Sequence, residues 1–196
     1  MKKLFILIFC IPLMALQCEK RQFETVGTIN VDETYEVDQT GHFVEVEEIS
    51  RDQVLDLLDI PEDAEITEVN IESVSIKVVV MSDNEASAVI VEGAVDLGAS
   101  KPEFFSNYIV PLVAVDNPWI GLNTLIQEGV TGIKNKLEKI ILGMDDDGFA
   151  IILEGDSSPT TGNRIHTQII LRITGTVKYV QCLEVPTFIV EGGEPC

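Results

Sequence analysis

The side chains that most enzymes use for chemistry are scarce in this chain of 196 residues. Its two histidines, His42 and His166, are too few for most metal or acyl-transfer sites. The sequence has no Gly-x-Ser-x-Gly or His-Glu-x-x-His pattern, and no phosphate-binding or dinucleotide-binding loop. Carboxylates are abundant, but a glycosidase needs two at a defined separation, which abundance does not supply. We therefore expect a protein that is not an enzyme and uses no cofactor.

Three consecutive aspartates, at positions 145–147, precede Gly148. Oxygen-rich loops of this kind bind Ca²⁺, and Asp145 and Asp147 are weak candidates for metal ligands. An EF-hand, however, alternates its ligands and ends with a distant glutamate. A polar turn after a helix explains the run more simply, so we expect no metal site here.

Three cations share one strand face, because Arg164, Arg172 and Lys178 all have the same parity in an alternating segment. Cations are few, since 13 basic residues stand against 33 acidic ones and the formal net charge is −20. These three side chains either pair with acidic neighbours across the ladder, which we favour, or form a contact for an anionic partner. The overall acidity argues against nucleic-acid binding, which depends on neutralising phosphates with Lys and Arg.

The amino terminus has the composition of a secretory signal. Lys2 and Lys3 precede the apolar run 4–16, which is too short to span a bilayer comfortably. The segment 13–18, Leu-Met-Ala-Leu-Gln-Cys, resembles the lipobox of bacterial lipoproteins, although Gln17 stands where that family prefers a small residue. The resemblance implies that Cys18 is diacylated, becomes the first residue and anchors the chain in a membrane of the bacterial cell envelope. The alternative is an ordinary signal, residues 1–17, followed by a structural Cys18.

The other cysteines agree with export. Cys10 lies within the signal, so an unlipidated pair, Cys182 and Cys196, remains in an oxidising compartment. A disulfide between them would close a short loop through 185–188 and contribute ~3 kcal/mol. Two free thiols near a frayed end are the alternative.

The segment 66–97 organises the expected fold. Two alternating apolar runs flank the polar break 82–85, which is the pattern of an antiparallel hairpin with one wet face. Buried parity in the first run switches from odd (Val69, Ile71) to even (Val74, Ile76), which predicts a β-bulge near residues 72–73.

The chain before this segment is expected to form a polar tether, two strands and a helix. The tether covers 18–26, and a strand at 28–38 turns at 39–41 into an edge strand at 42–48. Ser50 and Gln53 form a capping-box pair that starts a short helix, which ends before Pro61.

After the hairpin, segment 103–116 is apolar without a clean period, and Pro111 argues against a regular central strand there. Asn117 and Pro118 predict the start of a long amphipathic helix over 118–142, closed by Gly143. Gly129 and Gly132 lower its intrinsic stability, so we expect close approach to a sheet at these positions. Strands are predicted at 148–155 and 164–181, the second being long and either central or wrapping, with a bend permitted at Gly175.

Together these elements predict a single β-rich domain over 27–196. We expect a mainly β fold, either an antiparallel β-sandwich or a strongly curved sheet, with one long amphipathic helix and one short helix. By its signal and strand layout, the mature chain resembles small β-sandwich lipoproteins of bacterial envelopes. That resemblance implies a lipid-anchored surface module that binds or presents an unknown protein, glycan or lipid ligand. A carrier of apolar ligands, enclosed between the 118–142 helix and a curved sheet, is the second hypothesis, and a glycan-active enzyme the third.

Overall fold

A computed structural model describes residues 18–58, 60–61, 63–113, 116–158, 162–186 and 194–196. Helix α1 spans Arg51–Asp56 and helix α2 spans Gln127–Ile141. The strands of the described residues are β1 Cys18–Thr40, β2 Phe43–Ile49, β3 Glu65–Val80, β4 Ala88–Asp96, β5 Glu103–Pro111, β6 Ile120–Gly121, β7 Phe149–Ser158, β8 Arg164–Pro186 and β9 Glu194–Pro195.

These strands form two antiparallel sheets. The five-stranded sheet has the order β6-β3-β8-β1-β9 and the four-stranded sheet the order β2-β7-β4-β5. Pairing is nested along the chain, because β1 pairs with β8, β2 with β7, β3 with β6 and β4 with β5. A nested double ribbon wrapped into two sheets is the jelly-roll form of the β-sandwich. The predicted fold class, mainly β and antiparallel with two helices, is therefore confirmed.

Burial follows strand parity. In β8 the odd-numbered residues from Ile165 to Tyr179 are buried and the even-numbered ones are partly exposed. In β7, Phe149, Ile151 and Leu153 face the core, as predicted. Each such side chain contributes roughly 1.5–3 kcal/mol when fully buried. Of the two positions predicted for β8, the central one is confirmed, since it lies between β3 and β1.

The predicted bulge in β3 is confirmed. The register between β3 and β8 shifts between Ile71 and Ser73, and the buried parity changes from Val69 to Val74 at that point. Gly175 of β8 lies opposite Ile71, and a Cβ added there would be 2.8 Å from the carbonyl oxygen of Asn70. The bulge therefore brings two backbones so close that a glycine is required.

The hairpin expected over 66–97 is wrong. Strand β3 belongs to the five-stranded sheet and β4 to the four-stranded one, so the polar break 82–85 is a crossover between facing sheets. Both strands bury one face, as the alternation indicated. Lateral pairing and stacking across a sandwich leave the same period-two pattern, which is why the sequence did not distinguish them.

The ends of the two helices test the capping signals. The capping box of α1 is confirmed: Ser50 Oγ accepts from the Gln53 N–H at 3.2 Å, and Gln53 Oε1 accepts from the Ser50 N–H at 2.8 Å. The predicted start of the long helix is wrong, because α2 begins only at Gln127. The side chain of Asn117 is buried and donates instead to the Val78 carbonyl at 3.1 Å. The Asn117 side chain therefore bonds to the edge of β3 and does not cap a helix.

Helix α2 ends as expected. Gly143 has a φ of +67°, and its N–H donates to the Ile140 carbonyl while that of Met144 donates to the Lys139 carbonyl. These two bonds are a Schellman motif. The expected close approach is also confirmed, since a Cβ on Gly129 would lie 2.3 Å from the Glu103 carbonyl oxygen in β5.

The irregular tether expected at 18–26 is instead the first part of β1, paired without a register shift to β8 from Cys18 to Thr40. Of the described β1 residues, none before Ile29 belongs to the buried core. This part of β1 and its partners on β8 therefore form a ribbon that begins outside the core. A disulfide between Cys182 and Cys196 ties the residue after β9 to this ribbon, with a Cα–Cα distance of 6.3 Å. Residues 187–193 of the closed loop lie outside the described residues.

The predicted edge strand is confirmed, and so is the expectation that Pro111 lies in no central strand. Strand β2 is an edge of the four-stranded sheet, and Val44 and Val46 face solvent. Strand β5 is the opposite edge, and it ends at Pro111. An edge strand tolerates proline because its outward side has no ladder hydrogen bond to lose.

Candidate functional site

The three cations singled out in the sequence lie on the solvent side of the five-stranded sheet. We call this surface the charged face, defined by Arg164, Arg172 and Lys178 of β8 and by the acidic residues that bind them. Each cation extends from the middle strand toward a carboxylate on a neighbouring element. The parity of β8 places all three on the same side, as predicted.

Arg164 stands at the start of β8 and binds two carboxylates. Its Nε and Nη2 donate to the two oxygens of Asp38 at 2.9 and 3.1 Å, and its Nη1 lies 2.8 Å from Asp83. The ring of His166 contacts the other oxygen of Asp83 through Nδ1. Hydrogen bonding to Arg164 holds the pKa of Asp38 below its usual range, and hydrogen bonding to His166 does the same for the pKa of Asp83.

This cluster fastens the crossover between the sheets. The His166 carbonyl accepts from the Met81 N–H at 3.0 Å, and the Arg164 carbonyl accepts from Glu85 and Ala86. The Asn84 side chain accepts from the His166 N–H at 3.1 Å. The surroundings of His166 are therefore the hydrogen bonds that hold the crossover loop, in which its ring contacts Asp83 and its N–H donates to Asn84.

Arg172 occupies the centre of the charged face. It lies directly opposite Asp32 of β1 and donates to both carboxylate oxygens, at 2.7 and 2.5 Å. Its guanidinium also lies 4.2 Å from the ring centroid of Trp119, which is the only tryptophan of the chain. Arginine suits this double role because a planar guanidinium can bind a carboxylate at its edge while it stacks on a ring.

Lys178 completes the row toward the ribbon. It lies opposite Glu68 of β3, with its Nζ 2.6 Å from a carboxylate oxygen. The bonds that Glu68 accepts from Lys178 and Asn70 lower its pKa. All three cations are thus held by acidic neighbours, which is the arrangement that the sequence favoured over a free anion contact.

Two of the aspartates at 145–147 lie next to cations, and the backbone N–H of the third, Asp147, donates to Asp145. Asp145 accepts from Lys136 Nζ at 2.7 Å and from the Asp147 N–H at 3.0 Å, and its pKa is lowered chiefly by the bond to Lys136. Asp146 lies 3.5 Å from Arg51. Within the described ranges, no group of three or more His, Cys, Asp or Glu side chains is placed to hold a metal ion.

The outer side of the four-stranded sheet carries a second group of carboxylates. Glu92 of β4 lies directly opposite Glu154 of β7, and both line a shallow cavity of about 230 Å³ with Glu103. Burial, followed by repulsion from Glu154 and Glu103, raises the pKa of Glu92. His42 binds Glu154 at 3.0 Å. This is an acidic patch in which one carboxylate, Glu154, is already paired.

Sequence reasoning missed Trp119 and Asp83. Trp119 lies in a loop with no periodic pattern, and Asp83 lies in what was taken for a hairpin turn. The one available signal for Trp119 was its uniqueness in a chain with few aromatic residues.

Among the described residues, no helix has the length and apolar character needed to cross a membrane.

Comparisons with known proteins give little more. No protein-family model and no curated protein matches the chain. A structure of the infectious bursal disease virus Gx strain aligns at 10% identity and TM-score 0.32, over 83% of this chain and 38% of the viral one. The decameric BFDV capsid protein aligns at 10% identity and TM-score 0.33, over 82% of this chain and 99% of the other. Similarity at this level supports no conclusion about function.

Proposed function

We propose that this protein is a non-enzymatic, lipid-anchored module of the bacterial cell envelope that acts by binding a partner. The observation that supports this most is the position of Cys18. It follows the apolar leader directly and is the first residue of the first described strand. An acyl chain attached there adds about 0.8 kcal/mol of membrane affinity per buried methylene. The sandwich would then stand on the ribbon of β1 and β8.

The disulfide supports export independently of the leader. Disulfides persist in oxidising compartments and are rare in the cytosol of mesophiles. The bond between Cys182 and Cys196 lies on the same ribbon that starts at Cys18, because Cys182 pairs with Gln22. A stiffened ribbon next to the anchor suits a domain held at a fixed distance from a membrane.

The packing of α2 weighs against the apolar carrier. Ile133, Leu137 and Ile140 are buried in the shared core. The helix backbone meets β5 closely at Gly129. A ligand between helix and sheet would have to displace these contacts between the described residues.

Replacement of Cys18 tests the anchor. In cells grown with a clickable palmitate analogue, the wild-type protein should carry the label and sediment with membranes, whereas Cys18→Ser should lose the label and the membrane association. Cys10→Ser is the matched control, because Cys10 lies inside the leader and its loss should leave both unchanged. Unlabelled wild-type protein, or full membrane retention of Cys18→Ser, would contradict the proposal.

A further inference from the structure

Among the described residues, strand β1 lacks a strand partner along most of one edge. On one side it pairs with β8 over its whole length, from Cys18 to Thr40. On the other side, β9 pairs only with Arg21 and Gln22, and no other strand of the described residues joins that edge. The edge beyond Gln22 contains no proline, and its register with β8 shows no bulge. Proline and β-bulges are two features that usually prevent a further strand from adding to an edge, and this edge has neither.

The direction of the backbone groups on this edge follows from one hydrogen bond. The Lys20 carbonyl accepts from the Cys196 N–H, so Lys20 directs its backbone groups away from β8. Direction alternates with period two in an antiparallel ladder, and the register is unbroken. Even-numbered residues therefore present N–H and C=O groups to the open edge, among them Asn30, Asp32 and Thr34.

Helix α1 turns part of this edge into a groove. Residues 30–33 of β1 form one wall, and Gln53, Asp56 and Leu57 form the other, around a cavity of about 400 Å³. Leu57 is 43% exposed, although it is apolar. A groove between a free strand edge and a helix fits an extended segment that adds as a further strand, with one side chain on the exposed leucine.

The groove is acidic. Asp32, Glu33 and Asp56 line it, and Glu36 follows on the exposed face of β1. Glu33 is half-buried near Glu47 of β2, and burial, followed by repulsion from Glu47 and Asp32, raises its pKa. Arg172 neutralises Asp32, but no ion pair in the described residues engages Glu33, Glu36 or Asp56. Cationic side chains from outside would relieve this repulsion.

We propose that the β1 edge from Asn30 to Glu36, together with α1, binds an extended basic segment of another protein by strand addition. Charge decides against a second copy of this chain, because an antiparallel pair of β1 edges centred on Asp32 brings carboxylates together. The inference deepens the proposed function by naming the class of partner. It depends on the proposal that the protein binds a partner, but it does not depend on the lipid anchor.

The probe is a short fluorescent peptide of alternating lysine and valine, titrated by anisotropy into the full chain purified in detergent. We expect saturable one-to-one binding that weakens with salt. The same peptide with glutamate for lysine, or with alternate backbone nitrogens methylated, should not bind. Cys18→Ser protein should bind equally well, so failure of the anchor and failure of the groove give different results.

Thr34→Pro tests the edge with little disturbance of the fold. Thr34 is exposed and its N–H points outward, so proline removes a donor on the open side and leaves the β8 ladder intact. It should weaken peptide binding about tenfold, while Thr34→Val, which keeps the N–H, should not. Asp56→Lys, on the exposed side of α1, should weaken binding with no change to β1 at all.

Several outcomes would overturn the proposal. They are absence of lysine-peptide binding by the wild type, equal binding of the glutamate peptide, and equal affinities of Thr34→Pro and Thr34→Val. Dimerisation of the chain that Thr34→Pro abolishes would overturn it in favour of a second copy. If Thr34→Pro fails to fold by its Trp119 emission and melting curve, unchanged affinity of Asp56→Lys alone counts against the groove.

Discussion

Arg172 lies directly opposite Asp32 in the ladder and binds both of its carboxylate oxygens while its guanidinium stacks on Trp119. Trp119 comes just before β6, at the far side of the five-stranded sheet from β1. One side chain thus connects the open strand β1, the central strand β8 and the loop that covers the edge of β3. The bond to Arg172 thereby fixes the carboxylate of Asp32 on the open edge of β1.

Arg172→Lys should lower the free energy of unfolding by about 1 kcal/mol, because lysine keeps the charge but loses the two-pronged bond and the stacking. Urea denaturation measures this. Since Trp119 is the only tryptophan, its emission reports on the same site, and we expect a shift in Arg172→Lys. Lys178→Arg is the control, as its pair with Glu68 can be kept. Equal stability and unchanged emission would show that the stack contributes nothing.

Gly129→Ala should destabilise the fold and Gly132→Ala should not, although both lie inside α2. Alanine is favoured over glycine by about 1 kcal/mol in a helix interior. At 129 the new Cβ would meet the Glu103 backbone at 2.3 Å, and this clash should cost about 1–3 kcal/mol net. At 132 the nearest atom is a leucine methyl at 3.0 Å, which can move. Thermal melts should show a lower Tm for Gly129→Ala and no loss for Gly132→Ala.

Glu33→Gln should raise the Tm at neutral pH. The folded state raises the pKa of Glu33, so its charged form is disfavoured there. Any stabilisation from the protonated form is fully present below the ordinary carboxyl pKa and is lost as pH rises through the raised value. The advantage of the neutral glutamine should therefore shrink as pH falls from the raised pKa to the ordinary carboxyl pKa, and it should be absent below the ordinary value. A Tm difference that stays constant from neutral to acidic pH would contradict this account.

Reduction of the disulfide between Cys182 and Cys196 should loosen the ribbon before the sandwich. A loop of this length contributes about 3 kcal/mol, and the ribbon part of β1 supplies no core residue. Hydrogen exchange should then become faster at Gln22 and Cys196, while amides of β4 and β7 keep their protection. Cys182→Ser should reproduce the result without reductant. Unfolding of the whole domain on reduction would show that the ribbon and core are one cooperative unit.

The alternation of apolar and polar residues was the most reliable guide to the fold. It predicted the buried faces of β7 and β8, the bulge in β3 and the edge position of β2. These follow from local rules, because alternation and its interruption are properties of a single strand. Sheet membership is not local, and so the crossover at 82–85 was mistaken for a hairpin. For the same reason residues 18–26 were mistaken for a tether, because they form a strand only with a partner more than 140 residues away in β8.

The charged face was only half predictable. Arg164, Arg172 and Lys178 share a parity that the sequence displays, but their carboxylates come from β1, β3 and a crossover. Trp119 carries no periodic signal, and its position follows from packing of a loop against β8. The open edge of β1 depends on strand order, which no segment of sequence records.

The mass of the amino-terminal peptide tests the central claim most directly. After digestion of the membrane-extracted protein, the account predicts a first peptide that begins at Cys18 and carries the mass of attached acyl chains. A first peptide that begins at another residue, or an unmodified Cys18 in the intact mature chain, would contradict a lipid anchor at this position.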